Sequence, residues 1–382
     1  MEDQLKQQEI YTRKEQPALF LLLMVVAVLY LFTRFTAQNV IEFDDSFTEA
    51  DLRTGVLTAY ALFVTLCTST MPNLSLTFPN PLFWKVIYAT VAFYTLGIAS
   101  FILLSRDSAR DVIRIVFEGE GMPKSFDDFE ASIQAKIDDV MGTCDISSKT
   151  LFRQIFVAPW FFSHVAGWAA KVLIFRDFWT AFTAAVMFEI AEVTLEYVVP
   201  EFEECWWDSL FLDTLGANLI GLLIGLIIRS WLAHFSDDWR HLDWLGKEER
   251  ISEGSKLFYS VTPIAVSKYE WKVLKSPMRL LQVFTLCSVM VIAEINLFVM
   301  ANSLGIPLST ASLFCHGRLA SLGFLSSIAA ADFFEYINNC SPNTMGPSIS
   351  LLILMLSVEI AVNIKFFPRH MMAEVEKVDN FV

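Results

Sequence analysis

Between Pro159 and Arg229 the chain reads PWFFSHVAGWAAKVLIF, then RDFWTAFTAAVMFEIAEVTLEYVV, then PEFEECWWDSLFLDTLGANLIGLLIGLIIR. These hydrophobic segments carry His164, Glu189, Glu192, Glu204, Asp208, Asp213 and Asn218. An acid at the centre of a bilayer costs about 2.5–3.5 kcal/mol even on the lenient insertion scale, so such a cluster calls for a function. On a helix, Glu189, Glu192 and Glu196 fall on one face, within roughly 60° of each other. Glu204 and Asp208, four residues apart, repeat the pattern on the next segment, with Asp213 and Asn218 further along. Carboxylates so placed repel unless they meet a cation, share protons or open to water. Ca²⁺ takes six to eight oxygen ligands in irregular geometry, which two facing acidic stripes supply. Mg²⁺ and Mn²⁺ also fit, whereas zinc is disfavoured with one His and no thiolate pair nearby. His164 is the side chain suited to moving a proton near neutral pH. A lone His of this kind otherwise packs as a polar residue against a carboxylate of the next helix. Glu201 and Glu203, at a membrane surface, also fit a solvated turn. Trp206 and Trp207 fit an interfacial belt, or an aromatic face for a quaternary ammonium head group.

Composition sets the context. Of 382 residues, 54% are hydrophobic, 34 are Phe and only 18% are charged, with mean hydropathy +0.49. That is too little polar surface for a soluble domain and points to an all-α, polytopic membrane helix bundle. The net charge of −14 argues against nucleic acid, which needs a basic footprint. Cys67, Cys144, Cys205, Cys287, Cys315 and Cys340 are scattered without paired spacing, so no disulfide framework is expected.

Taken in order, residues 1–16 are polar with Lys6, Arg13 and Lys14 before the first apolar run, which places them in the cytosol. Residues 17–104 hold three spans, beginning with Ala18 to Phe32. The sequon at Asn73 falls on the cytosolic side of that count and is expected to be unused. Residues 105–150 form a polar connection on the far side, with a surface helix starting after Ser125 or Asp127. Residues 151–233 are the acidic membrane core, 234–278 a basic cytosolic loop and 279–366 further spans. Residues 367–382 form a tail whose basic residues favour the cytosol. Nine spans are readable, with 306–338 the least clean. A cytosolic tail requires an even number, so about ten transmembrane helices are expected.

At the chemistry-bearing residues the chain resembles the eukaryotic base-exchange phosphatidylserine synthases. The likeness rests on His164-x-x-Gly167-Trp168-Ala169-x-Lys171, on the Glu189-x-x-Glu192 pair, and on Pro200-x-Phe202-x-Glu204-Cys205-Trp206-Trp207-Asp208-x₄-Asp213-x₄-Asn218. It extends to Pro81-x-x-Trp84-Lys85, Thr262-Pro263, Glu294-x-Asn296, and Glu359 with Ile364-Lys365-Phe366. The resemblance implies a multi-pass enzyme of the endoplasmic reticulum membrane, with residues 105–150 lumenal. It would exchange the choline or ethanolamine of a phospholipid for L-serine, using Ca²⁺ and no nucleotide, as a homodimer. By the same resemblance His164 is the base and Asp213 acts beside it. Glu189, Glu192, Glu204 and Asp208 form the metal set, and Asn218 and Trp207 contact substrate. Glu201 stands where the family commonly has Asn, and so becomes a further substrate contact.

Two other classes compare less well. Nucleotide-dependent alcohol phosphatidyltransferases use an Asp-Gly-x-x-Ala-Arg motif, and no Asp-Gly dipeptide occurs in this chain. A membrane cation transporter with an acidic ion site predicts related halves with broken helices, and the acidic stretch has no internal repeat.

Overall fold

The structure is a computed structural model that describes residues 49–70, 81–117, 121–132, 147, 151–152, 155–156, 160–196, 199–202, 205–240, 269–308, 312–338 and 346–367. The expected first span Ala18 to Phe32, the Asn73 sequon, Glu203 and Glu204, most of the basic loop and the C-terminal tail lie outside the described residues. Every element among the described residues is helical: α1 (Glu49–Thr70), α2 (Pro81–Phe101), α3 (Arg106–Val116), α4 (Trp160–Phe175), α5 (Phe178–Leu195), a 3₁₀ turn (Pro200–Phe202), a π-helix (Asp208–Asn218) running into α6 (Leu219–Arg240), α7 (Pro277–Leu304), α8 (Leu313–Asn338) and α9 (Pro347–Phe366).

Six of these are long and apolar enough to cross a membrane: Leu82–Phe101, Phe178–Leu195, Asp208–Trp231, Pro277–Leu304, Leu313–Asn338 and Pro347–Phe366. The described residues therefore form a helical membrane bundle with six such spans, fewer than the ten expected. The segment that read least cleanly, 306–338, resolves into the single helix α8. Helix α4, with 16 residues, is about 24 Å long and shorter than the roughly 30 Å hydrocarbon core. His164 stands in its second turn.

Local chemistry explains the helix boundaries. Ser276 caps α7, accepting from the Arg279 amide ahead of Pro277, and Gly305 closes it in the left-handed conformation at φ 64°. Asp177 caps α5 by accepting from the Thr180 amide at 2.9 Å. Ser125 accepts from the Asp128 amide at 3.1 Å, starting the surface helix where the sequence placed it.

Helix α4 packs along α6 and the π-helix, α5 against α7, and α8 and α9 against α2, α7 and each other. The α4–α6 seam is nearly backbone on backbone. A Cβ on Gly221 would lie 2.5 Å from the Val165 carbonyl oxygen and 2.9 Å from Trp168 Cβ, and one on Gly225 would lie 2.7 Å from the Ala169 oxygen.

Main-chain carbonyls tie down one end of the bundle. Arg110 of α3 donates to the Leu304 oxygen at 2.7 Å and to the Pro123 oxygen at 2.6 Å. Arg106 donates to the Phe366 oxygen at 2.6 Å, and Lys365 to the Ile102 oxygen at 2.8 Å. The C-terminus of α9 thus lies at the same end as the start of the 105–132 connection. Residue 367 lies beside residue 105 at that end, and the expected cytosolic tail beyond it lies outside the described residues.

A buried polar network fastens α2, α7, α8 and α9 together. Arg318 donates to Glu359 from Nε at 3.0 Å and from Nη2 at 2.6 Å, with side chains only 1% and 0% exposed. Tyr94 donates to Glu359 Oε1 at 2.8 Å, and Asn296 approaches Oε2 at 3.4 Å. The carboxylate is saturated and its charge is balanced.

Two outcomes follow for stability. Arg318→Met leaves Glu359 as an uncompensated buried charge and should destabilise the bundle by about 3–5 kcal/mol, with part recovered in R318M/E359L. Gly221→Val overpacks the α4–α6 seam and should cost about 1–3 kcal/mol. Thermal unfolding of the purified proteins in one detergent measures both.

Candidate active site

The winding of one segment sets the site. In an α-helix, residues five apart point about 140° from each other, so Asp208, Asp213 and Asn218 would face three ways. From Asp208 to Asn218 the chain is instead a π-helix, whose i→i+5 bonds and wider turn bring residues five apart much nearer to one face. Asp208, Asp213 and Asn218 are accordingly all buried, while Leu210, Phe211 and Leu215 between them face outward. The Thr214 hydroxyl follows the same period, donating at 2.9 Å to the Ser209 carbonyl.

Asn218 bridges the other two helices. Its amide nitrogen donates to Glu189 Oε1 of α5 in a short contact, so its amide oxygen faces His164 Nδ1 of α4 at 3.3 Å. A carboxylate only accepts and an amide oxygen only accepts, so the His164 Nδ1 must carry the proton. Nε2 is then left with its lone pair free. Asp213 Oδ1 stands 3.9 Å from the same Nδ1, ready to stabilise the ring if it becomes positive. Ser209 Oγ approaches the second Glu189 oxygen at 3.5 Å. Phe188 walls the imidazole edge-on at 6.5 Å between ring centres.

The remaining candidates divide. Asp208 is buried within electrostatic reach of Asp213 and His164, and Glu192 within reach of Glu189, Asp213 and Glu294. Trp207 is 2% exposed and turned inward, whereas Trp206 is 66% exposed on the outer surface as a belt residue would be. Glu201 is engaged elsewhere: its carboxylate accepts from Asn302 of α7 at 2.5 Å, fixing the 3₁₀ turn to that helix. Glu204 lies outside the described residues.

Among the described residues no three His, Cys, Asp or Glu side chains converge as ligands of one ion. The charge, however, fits a cation. Glu189, Glu192, Asp208, Asp213 and Glu294 are buried or half-buried, with the single ammonium of Lys171 in reach. Carboxylates in such numbers favour a hard divalent cation on oxygen ligands.

Three features were not read from the sequence. Cys205 is disulfide-bonded, against the expectation of isolated thiols. Cys67, Cys287 and Cys315 carry no disulfide. The π winding was signalled by the five-residue period of Asp208, Asp213 and Asn218. The third feature is a pair: Lys171 Nζ lies 2.6 Å from Glu294 Oε2. Its signal was a lysine seven residues after His164, on the same face, and a lone acid within an otherwise apolar span.

A helical membrane bundle with an imidazole held among intramembrane carboxylates defines an enzyme site. The phosphatidyl serine synthase family model matches residues 79–367, and the chain belongs to that family. It is therefore a phosphatidyltransferase, which sets the transporter reading aside. It is 26% identical to CDP-diacylglycerol–serine O-phosphatidyltransferase 1 of Arabidopsis thaliana, over 84% of this chain and 75% of the relative. It is 25% identical to human phosphatidylserine synthase 2, over 76% of this chain and 58% of the relative, and 22% identical to zebrafish phosphatidylserine synthase 1, over 85% and 67%.

Asn218→Leu keeps the side-chain volume and removes both bridging contacts. Because small misplacements of a reacting group cost about 100-fold, kcat for phosphatidylserine formation should fall by about that factor with the KM for lipid little changed, as read from initial rates in mixed micelles.

Proposed function

We propose that this protein makes phosphatidylserine by base exchange, replacing the choline or ethanolamine of a membrane phospholipid with L-serine. The observation that carries the reading is the His164–Asn218–Glu189 chain, which leaves one imidazole nitrogen unprotonated beside buried acids. The names of the relatives divide between a CDP-diacylglycerol donor and phosphatidylserine synthases without a stated donor. The lack of any Asp-Gly dipeptide favours exchange over the nucleotide-dependent route.

In this mechanism His164 Nε2 takes the serine hydroxyl proton as the oxygen attacks phosphorus, and returns it to the departing amino alcohol. Asn218 holds the ring in the working tautomer, Glu189 holds Asn218, and Asp213 offsets the transient imidazolium charge. Glu189, Glu192, Asp208 and Glu204 are the donors for Ca²⁺. When bound, the ion supplies positive charge to the phosphodiester oxygens. Trp207 is the inward aromatic available to a head group.

We place the enzyme in the endoplasmic reticulum membrane as a multi-pass homodimer of about ten helices, with the Cys205 end in the lumen. A disulfide at that end suits an oxidising compartment.

The test uses purified protein in vesicles of phosphatidylcholine and phosphatidylethanolamine with labelled L-serine. Phosphatidylserine should form in step with free choline or ethanolamine, stop on calcium chelation, and fall by about 10²–10⁴-fold in His164→Ala. Product formed only when CDP-diacylglycerol is added would overturn the exchange reading.

A further inference from the structure

We propose that Lys171 and Glu294 are the seat of the L-serine zwitterion, with Lys171 taking its carboxylate and Glu294 its ammonium. This rests on serine being the acceptor and holds for either donor class.

Two buried ion pairs among the described residues are built differently. Arg318–Glu359 is bidentate, and Tyr94 adds a further bond to the carboxylate, as suits a permanent fastening. Lys171–Glu294 is a one-point contact, with Lys171 Nζ 2.6 Å from Glu294 Oε2. An ammonium has three donors, and Glu294 takes one of them. Aromatic rings flank the ammonium, with Nζ 3.3 Å from the Trp168 ring centre and 5.2 Å from that of Phe188. A pair with unused hydrogen-bonding capacity can be opened by a ligand that supplies the missing partners.

Position favours serine as that ligand. Lys171 follows His164 by seven residues on one face of α4, a rise of about 10.5 Å. Helical side chains lean toward the helix N-terminus, which brings the ammonium back toward the imidazole. Its charge and that of Glu294 both reach His164. Glu192 lies in the same field as a second anion for the substrate ammonium.

Charge accounting supports the same assignment. Serine is the acceptor that carries both an ammonium and a carboxylate. Its entry converts one internal pair into two intermolecular pairs without changing the buried net charge, which avoids the penalty of an unpaired ion. Ethanolamine and choline, the released alcohols, carry no carboxylate and leave Lys171 on Glu294. Lys171 is thereby the group that selects serine over the alcohols it displaces.

The experiment compares wild type, Lys171→Met, Lys171→Arg and Glu294→Gln as full-length protein in vesicles holding phosphatidylcholine, phosphatidylethanolamine and CDP-diacylglycerol. Labelled L-serine, ethanolamine and serinol, the carboxylate-free analogue of serine, are supplied as competing acceptors, and labelled L-serine binding is measured on the same preparations. We expect K171M to lower the serine-to-serinol incorporation ratio by at least about 10-fold, K171R to restore part of it, and E294Q to weaken all three acceptors. A ratio within twofold of wild type in both lysine variants overturns the assignment and leaves the pair a structural contact. Should K171M fail to remain monodisperse, the ratio in K171R and serine binding in E294Q decide in its place. If wild type incorporates no acceptor from any donor, the reaction proposed above falls. Serine binding lost in K171R and E294Q would still support the seat, and binding unchanged in both would overturn it.

Discussion

An ionisable group placed inside a membrane protein must find a partner, and that requirement divides this bundle in two. Around Glu359 the requirement is met in full: Arg318 neutralises the carboxylate, Tyr94 adds a bond to it, and helices α2, α7, α8 and α9 are held by the result. Around Glu189 it is met only in part. Among the described residues, carboxylates from α5, the π-helix and α7 stand in reach of His164 and Lys171, and this excess of negative charge is what the proposed chemistry would draw on. The closed network gives the open one a rigid wall, because α7 belongs to both. Glu294 looks toward α4, while Asn296, two residues on, looks toward α9.

The catalytic geometry comes from backbone winding and backbone proximity more than from side-chain choice. Gly221 and Gly225 let α6 settle against α4 closely enough for Asn218 to reach His164. The π-helix then lines up two aspartates and the asparagine on the inner surface. A π segment is a poor helix in isolation, since its wider turn packs the backbone less well. Here the gain from directing three polar groups inward offsets that loss.

Much of this was legible in the sequence. The acids announced themselves by standing in apolar runs, and His164 by its solitude among them. What stayed hidden has physical causes. A period of five is read as disorder when a period of 3.6 is assumed, so the common face of Asp208, Asp213 and Asn218 was missed. The Lys171–Glu294 pair joins residues far apart in the chain, as does the Glu201–Asn302 contact, and no local pattern reports a distant partner. Lys365 likewise binds a carbonyl that ends α2, a distant contact that its charge alone does not report.

That last contact belongs to a wider habit of the structure. Arg106, Arg110 and Lys365 all donate to peptide oxygens where residues 105–132 meet the helix tips. A peptide oxygen is present whatever residue supplies it. The tips of α2, α7 and α9 can therefore drift in composition while these bonds survive, beside the apolar cluster that Ala109 and Ile113 share with Met300 and Leu304.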